Sequence, residues 1–127
     1  METKKFLNKK NIIAIVGASS NPEKWGWKIY KSIKSSGSCV YPINPKYPEI
    51  NGAVCYPDLK SLPKNPDMVV TVVPPKITEM VVEECKRLKI NKVWMQPGSE
   101  SGKAIAFCKS NNIEVIYNAC FMGLMRK

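Results

Sequence analysis

Small and hydroxylated residues follow the first apolar run of the chain and could bind a phosphate. Gly17, Ala18, Ser19 and Ser20 come directly after Ile12–Val16, a continuous run of apolar residues. Small side chains let the backbone approach a phosphate closely, and free N–H groups near a helix start favour an anion. The G-x-G-x-x-G spacing of a dinucleotide-binding loop is absent, because the next glycine is Gly26. A tight strand-to-helix turn without a ligand is therefore the alternative.

Asn44, Pro45 and Lys46 stand where a second element for nucleotide binding is expected. An NAD-binding domain usually has Asp or Glu at the end of its second strand, where the carboxylate binds the ribose hydroxyls. A lysine at this place would instead attract a ribose phosphate. A solvated loop lysine explains Lys46 equally well.

A third segment, Val73, Pro74 and Pro75, ends a β-branched run. Proline fixes the backbone and lacks an N–H donor, so the pair could form a flat apolar wall for an adenine ring. Pro75 also suits the first position of a helix, and helix initiation alone would explain it.

The elements that position these segments alternate along the chain. Strands are predicted at 12–16, 38–43, 67–73, 91–96 and 113–117, with helices at about 25–36, from 75, and after Ser99 or Ser101. The stretch 42–66 is mostly loop, with a minor strand at 53–56 and a helical turn at 58–62. Such alternation predicts an α/β fold: a Rossmann-like, doubly wound, mostly parallel sheet of five to six strands with helices on both faces.

Apolar and aromatic residues outside the strands indicate which helix faces are buried. Four residues at helical spacing are expected on one side of the second main helix: Ile77, Met80, Val81 and Leu88. Trp94 lies within a strand and is expected in the core. Trp25 and Trp27 flank the first loop and either pack on the helix or cover a ligand.

Ligands of open α/β sheets bind outside the carboxyl ends of the strands, where the strand order reverses. This rule selects the candidate binding residues: Gly17, Ala18, Ser19, Ser20, Asn44, Pro45, Lys46, Val73, Pro74, Pro75, Gln96, Pro97, Gly98, Ser99 and, after the last strand, Cys120.

Composition narrows the function classes. The 127 residues are expected to form one domain, with a basic N-terminal extension at 1–10. No apolar run approaches the roughly 20 residues of a membrane span. The apolar run after the lysine-rich start is also too short for a signal peptide, so a cytoplasmic protein with no membrane partner is expected.

The five cysteines are odd in number and lack C-x-x-C spacing, which disfavours a disulfide framework or zinc site. The chain has no histidine, so the usual general base and the commonest metal ligand are missing.

The segments at the strand ends together resemble the CoA-binding domain family. Five ordered motifs and one cysteine carry the resemblance: Ile15-Val16-Gly17-Ala18-Ser19, Tyr41-Pro42-Ile43-Asn44-Pro45-Lys46, Ile50-Asn51-Gly52 with Tyr56 and Leu59, Asp67 to Pro75, Val93-Trp94-Met95-Gln96-Pro97-Gly98, and Cys120. The family is similar to the N-terminal domain of the succinyl-CoA synthetase alpha subunit. The resemblance covers about residues 10 to 120.

The resemblance implies that coenzyme A or an acyl-CoA binds across the strand ends. It implies phosphate contacts from Gly17 to Ser20, adenosine-side contacts from Asn44 to Lys46, and packing along Val73 to Pro75. Gln96 to Ser99 would lie near the pantetheine end. The synthetase has a second domain and a phosphorylated histidine, and this chain has neither, so we expect a non-catalytic carrier, sensor or regulatory module, as a homo-oligomer or with a partner enzyme.

Two other functions remain open. An NADP-dependent oxidoreductase domain could use the same crevice, with Lys46 on the ribose phosphate. A nucleic-acid-binding protein would explain the net charge of +10, although no recognised motif or basic-aromatic stripe supports it. Cys120 would follow the last strand at the ligand edge, so a mixed disulfide with CoA is a further hypothesis.

Overall fold

Five short strands form one parallel sheet in the computed structural model, which describes residues 3–125. The strands in chain order are β1 (Ile12–Val16), β2 (Cys39–Ile43), β3 (Glu49–Ile50), β4 (Ala53–Val54), β5 (Met68–Thr71), β6 (Lys92–Met95) and β7 (Glu114–Ile116). The sheet has the order β2-β1-β5-β6-β7, and β3 and β4 form a separate antiparallel pair. The Rossmann-like α/β prediction is confirmed.

Helices cover both faces of this sheet. They are α1 (Thr3–Phe6), α2 (Trp25–Ser35), α3 (Pro75–Arg87), α4 (Gly102–Ser110) and α5 (Phe121–Met125), with a 3-10 turn at Leu59–Ser61. Pro75 occupies the start of α3 as predicted, because its missing N–H would have no partner there. Of the two serines considered as the cap of α4, Ser101 is the one whose hydroxyl accepts a hydrogen bond from the N–H of Ala104, at 2.9 Å. No helix within residues 3–125 is long and apolar enough to cross a membrane.

Alternate residues of each strand build two cores, one on each face. In β1, Ile13 and Ile15 pack on the side of α2, whereas Ala14 and Val16 face the side of α3 and α4. Period-two alternation of this kind is a direct consequence of the pleat, and apolar residues at every position therefore bury both faces.

Trp94 is fully buried on the α2 side, as predicted. Phe6 and Phe121 approach its ring edge-on, with centroid separations of 5.8 Å and 4.9 Å. The indole N–H donates to the carbonyl oxygen of Ala119 at 2.8 Å. Helices α1 and α5 thus both pack, through one phenylalanine each, against a single aromatic residue of the central sheet.

The predicted buried face of α3 is partly wrong. Ile77 and Met80 are exposed to 40% and 64%, whereas Thr78, Val82 and Cys85 point inward with Val81. The spacing 78, 81, 82, 85 is also helical. Because one of these residues is a threonine, the apolar pattern of the sequence indicated the wrong face of the helix as the buried one. Two large apolar side chains of α3 consequently lie outside the core.

The crossover from β2 to β5 contains no α-helix. Residues 44–67 instead form the β3–β4 pair and the 3-10 turn, which Asp58 caps by accepting a hydrogen bond from the N–H of Ser61. Tyr56 forms an isolated parallel β-bridge with Ile43 on the outer side of β2. Residues 57–59 of this loop line the same cavity as α3.

Candidate functional site

A cavity of about 920 Å³ opens beside the carboxyl end of β1. The chain leaves β1 toward β2 on one side and returns to β5 on the other, so this is the point where the strand order reverses. The loops after β1, β2 and β5 all contribute to its lining, as do α3 and the 57–59 segment. Ligand pockets typically occupy roughly 300–1,000 Å³, so the cavity is large enough for a nucleotide-sized molecule.

Two glycines bring three backbone segments together under this cavity. Gly17 has a φ of +100°, and a Cβ on it would overlap the carbonyl oxygen of Val72. A Cβ on Gly26, near the start of α2, would overlap the carbonyl oxygen of Gly17. Gly26 thus allows the close approach of helix and strand that the last glycine of a dinucleotide fingerprint provides, at a longer spacing. Sequence reasoning noted Gly26 only as a departure from that fingerprint.

The N–H groups of the first loop divide into two pairs. Those of Gly17 and Ala18 donate to the carbonyl oxygen of Ile43, at 2.9 Å and 3.3 Å, and are not free for an anion. Among residues 3–125, no acceptor bonds the N–H groups of Ser19 and Ser20. The first turn of α2 adds the N–H groups that begin any helix, together with its positive dipole end.

Asn44 joins the second loop to the first. Its amide nitrogen donates to the carbonyl oxygen of Ala18 at 2.8 Å, and its amide oxygen accepts from the N–H of Lys46 at 2.9 Å. Both ends of this amide are engaged, so Asn44 holds the loops in register. Lys46 itself is exposed, and with Pro45 it lines the cavity.

Tyr47 lines the same cavity and was missed by sequence reasoning. Hydrogen bonding with the Ser19 side chain, and then with Ser20, lowers the pKa of its phenol, and the charges of Lys24 and Lys46 act in the same direction. Of these four groups, Ser19, Lys24 and Lys46 also line the cavity, whereas Ser20 lies outside its lining. The only sequence signal was the position of Tyr47 directly after Asn-Pro-Lys, since its partners lie far away along the chain.

The third wall of the cavity is apolar. Val73 and Pro74 line it, whereas Pro75 lies in α3 outside the lining. The exposed side chains of Ile77 and Met80 continue this wall along α3. Trp25, which is 55% exposed, lines the opposite rim beside the start of α2.

The residues after β6 and β7 do not line the cavity. The Gln96 side chain accepts from the N–H of Phe121 at 2.6 Å and donates to the Cys120 sulfur at 3.4 Å. The Ser99 hydroxyl bonds the carbonyl oxygen of Gln96 at 2.7 Å and lies 2.9 Å from the Thr71 hydroxyl. Pro97 and Gly98 belong to the turn between these groups and are exposed.

Charged side chains of both signs line the cavity, and they differ in whether they have partners within the protein. Lys24, Lys46 and Arg87 line it, as do the carboxylates of Glu23, Asp58 and Glu84. The only ion pair among residues 3–125 joins Lys5 to Glu114, elsewhere on the molecule. The Asp58 carboxylate, although also in the lining, accepts from Ser61 at the 3-10 turn. In the described part of the chain, no group of three His, Cys, Asp or Glu side chains is placed to hold a metal ion.

The arrangement of loops agrees with a family comparison. The model of the "CoA binding domain" family matches residues 11–126. The chain belongs to the CoA-binding domain family. The expectation from the sequence motifs is confirmed, and the family match includes all three loops that line the cavity.

Individual relatives of this CoA-binding domain include enzymes and short chains. An ADP-forming acetate–CoA ligase of Methanocaldococcus jannaschii is 35% identical over 95% of this chain and 18% of its own length. A conserved hypothetical protein from Pyrococcus furiosus has a TM-score of 0.85 and 42% identity, over 89% of this chain and 97% of that one. A hypothetical protein from Pyrococcus horikoshii has a TM-score of 0.91 and 31% identity, covering 96% and 86%. The domain spans about a fifth or less of the curated ligases to which it is similar.

Proposed function

We propose that this domain binds coenzyme A or an acyl-CoA across the carboxyl ends of its strands. The observation that supports the proposal is the cavity at the strand-order reversal, where the loops after β1, β2 and β5 converge. Each of these loops contains one of the motifs by which the chain resembles its family.

The ADP part of the ligand would occupy this cavity. The free N–H groups of Ser19 and Ser20, with the first turn of α2, would bind the pyrophosphate, because helix starts and free N–H groups favour anions. Lys46 would take the ribose side. Val73 and Pro74 would pack against the adenine ring, and their lack of charge suits an aromatic base.

The pantetheine arm would leave the cavity toward the loop after β6. Gln96 and Ser99 would act there mainly through the backbone they hold in place, since the Ser99 hydroxyl donates to the backbone carbonyl of Gln96 and the Gln96 side chain accepts from the N–H of Phe121. Pro97, Gly98 and Cys120 are the neighbouring surface for the thiol end.

We further propose a non-catalytic role, as a carrier, sensor or regulatory module that acts as a homo-oligomer or beside a partner enzyme. The absence of histidine and the short relative from Pyrococcus furiosus support this reading. An assay with acetyl-CoA, ADP and phosphate tests it. We expect no release of CoA, and turnover by the purified chain would refute the non-catalytic role.

Thermal unfolding with CoA, acetyl-CoA, NADP and NAD tests ligand binding. A ligand at about one hundred times its dissociation constant adds about 2.7 kcal/mol of stability, which raises the melting temperature by several degrees. We expect this shift with CoA or acetyl-CoA and none with NADP or NAD.

NADP binding by an oxidoreductase domain is the second candidate, favoured by Lys46 at the cavity and by the close approach that Gly26 permits. A thermal shift with NADP and none with CoA would replace the first proposal by this one. Retention on DNA or RNA that falls steeply with salt would instead favour the nucleic-acid alternative.

A further inference from the structure

Four polar side chains from the loops after β1 and β2 line the cavity. They form what we call the phenol cluster: Ser19, Lys24, Lys46 and Tyr47. The Asn44–Ala18 hydrogen bond of 2.8 Å fixes the two loops that carry most of them. The cluster is therefore built by the fold, because its members are up to 28 residues apart in sequence.

The members of the phenol cluster have unused capacity for a negatively charged group. The Ser19 hydroxyl accepts from the N–H of Asn21 at 3.0 Å, and its hydrogen bond to the phenol oxygen lowers the pKa of Tyr47, which leaves the phenol O–H as a donor for a ligand. Neither Lys24 nor Lys46 has a carboxylate partner among residues 3–125. The phenol O–H and two ammonium groups thus line one cavity; Glu23 lines it as well, and within residues 3–125 it forms no ion pair with either lysine.

This donor set fits a phosphomonoester better than a diester. A phosphomonoester carries about 1.5 to 2 negative charges at pH 7 and has three strongly accepting oxygens. A bridging phosphate has one charge and two free oxygens, for which the N–H groups of Ser19, Ser20 and the start of α2 suffice. The additional hydroxyls and lysines would otherwise have no ligand group to bond.

We propose that Tyr47 is a specificity-determining residue, which selects a ligand with a terminal phosphate on its ribose over the same ligand without that phosphate. The inference rests on the proposed binding of CoA. The Tyr47 hydroxyl donates one hydrogen bond to the phosphate, while Lys24 and Lys46 offset its charge. Without the phosphate, these groups have nothing to bond, and a site with unmatched polar groups binds the truncated ligand more weakly.

Titration calorimetry with CoA and 3′-dephospho-CoA tests the proposal on the full chain and on Tyr47→Phe. We expect the wild type to prefer CoA. In Tyr47→Phe the dissociation constant for CoA rises roughly tenfold or more, the effect of one hydrogen bond to a charged group, while that for dephospho-CoA changes less than about twofold. Tyr41→Phe is the matched control, since Tyr41 lies in β2 outside the cavity lining and should change neither value.

Lys24→Gln provides a second variant in case Tyr47→Phe does not fold. Lys24 is exposed and makes no cap hydrogen bond, so its loss should lower the CoA preference without lowering the melting temperature. Lys28→Gln, one turn further along α2 and outside the cavity lining, is the control.

Three results would overturn the inference in distinguishable ways. Equal affinity of the wild type for CoA and dephospho-CoA refutes phosphate selection and leaves CoA binding intact. Equal weakening of both ligands in Tyr47→Phe assigns the phenol to a shared part of the ligand and refutes its selective role. Binding of neither ligand by the wild type refutes the proposed function itself.

Discussion

Polar groups at the carboxyl ends of the strands differ between two halves of the sheet edge: the loops after β6 and β7, and the loops after β1 and β2. After β6 and β7, the side chains of Gln96 and Ser99 are buried and bonded to Thr71, Cys120 and the backbone of Phe121. After β1 and β2, two lysines, one serine and a phenol line an open cavity, together with the carboxylate of Glu23. Both halves looked alike in the sequence, as turn residues following apolar strands.

The difference indicates where binding energy can come from. A polar group that already has a partner in the protein gains little by bonding a ligand, whereas a buried group that loses its partner costs about 1–3 kcal/mol. We therefore expect substitutions in the bonded half to act on stability. Substitutions in the open half should act on ligand affinity, apart from the glycines that shape its backbone.

The largest effect is expected for Gly17→Ala, compared with Gly98→Ala. Both glycines have positive φ, +100° and +95°, but only at Gly17 would a Cβ overlap neighbouring backbone, namely the Val72 carbonyl. Backbone strain alone should cost Gly98→Ala about 1–3 kcal/mol. The overlap should raise the cost for Gly17→Ala to roughly 3–5 kcal/mol and abolish ligand binding.

Chemical denaturation of both variants measures this difference. Similar unfolding free energies for Gly17→Ala and Gly98→Ala would mean that the backbone contact between the first loop and β5 is looser than the geometry indicates.

Charge reversal at Lys46 is the next largest effect. In Lys46→Glu a carboxylate would face the phosphates of the ligand, so CoA affinity should fall about 30-fold with an unchanged melting temperature, as expected for a charge pair at a binding site. Lys109→Glu, on α4 beside Tyr117, is the control and should alter affinity less than about twofold. Titration at two salt concentrations would separate this local effect from a general response to net charge.

The fold and the place of the cavity at the strand ends could be predicted because they depend on local signals. Apolar runs fix the strands, prolines and glycines mark their ends, and parallel strands must bring those ends to one edge. Ile77 and Met80 were misassigned because apolar side chains serve equally as core and as the wall of a cavity. Tyr47 and the bonding of Gln96 depend on contacts between distant segments, which no local pattern encodes.

Gln96→Leu should lower the stability and leave the CoA affinity nearly unchanged, which is the opposite of the result expected for Lys46→Glu. The Phe121 N–H would lose its acceptor, now 2.6 Å away, in a buried setting, at a cost of about 1–3 kcal/mol. CoA affinity should change less than about threefold. Thermal unfolding and titration of the same sample measure both quantities. A large loss of affinity with unchanged stability would place the Gln96 side chain on the ligand and remove the distinction between the two halves.

The smallest expected effect is a difference in labelling rate among the cysteines, which measures how accessible Cys120 is. At pH 8, iodoacetamide should label the exposed Cys39 first and the half-buried Cys120 more slowly. Burial raises the pKa of Cys108 to about 11 and that of Cys85 further, so these two thiols should react only after unfolding.

Mass spectrometry after exposure to CoA disulfide then tests the mixed-disulfide hypothesis for Cys120. Cys120 is half-buried whereas Cys39 is exposed, so we expect Cys120 to be modified more slowly than Cys39. Rapid addition of CoA to Cys120 in the wild type, ahead of Cys39, would instead mean that the ligand thiol is delivered to this sulfur. The loops after β6 and β7 would then belong to the binding site through their chemistry, even though their side chains are already bonded to one another.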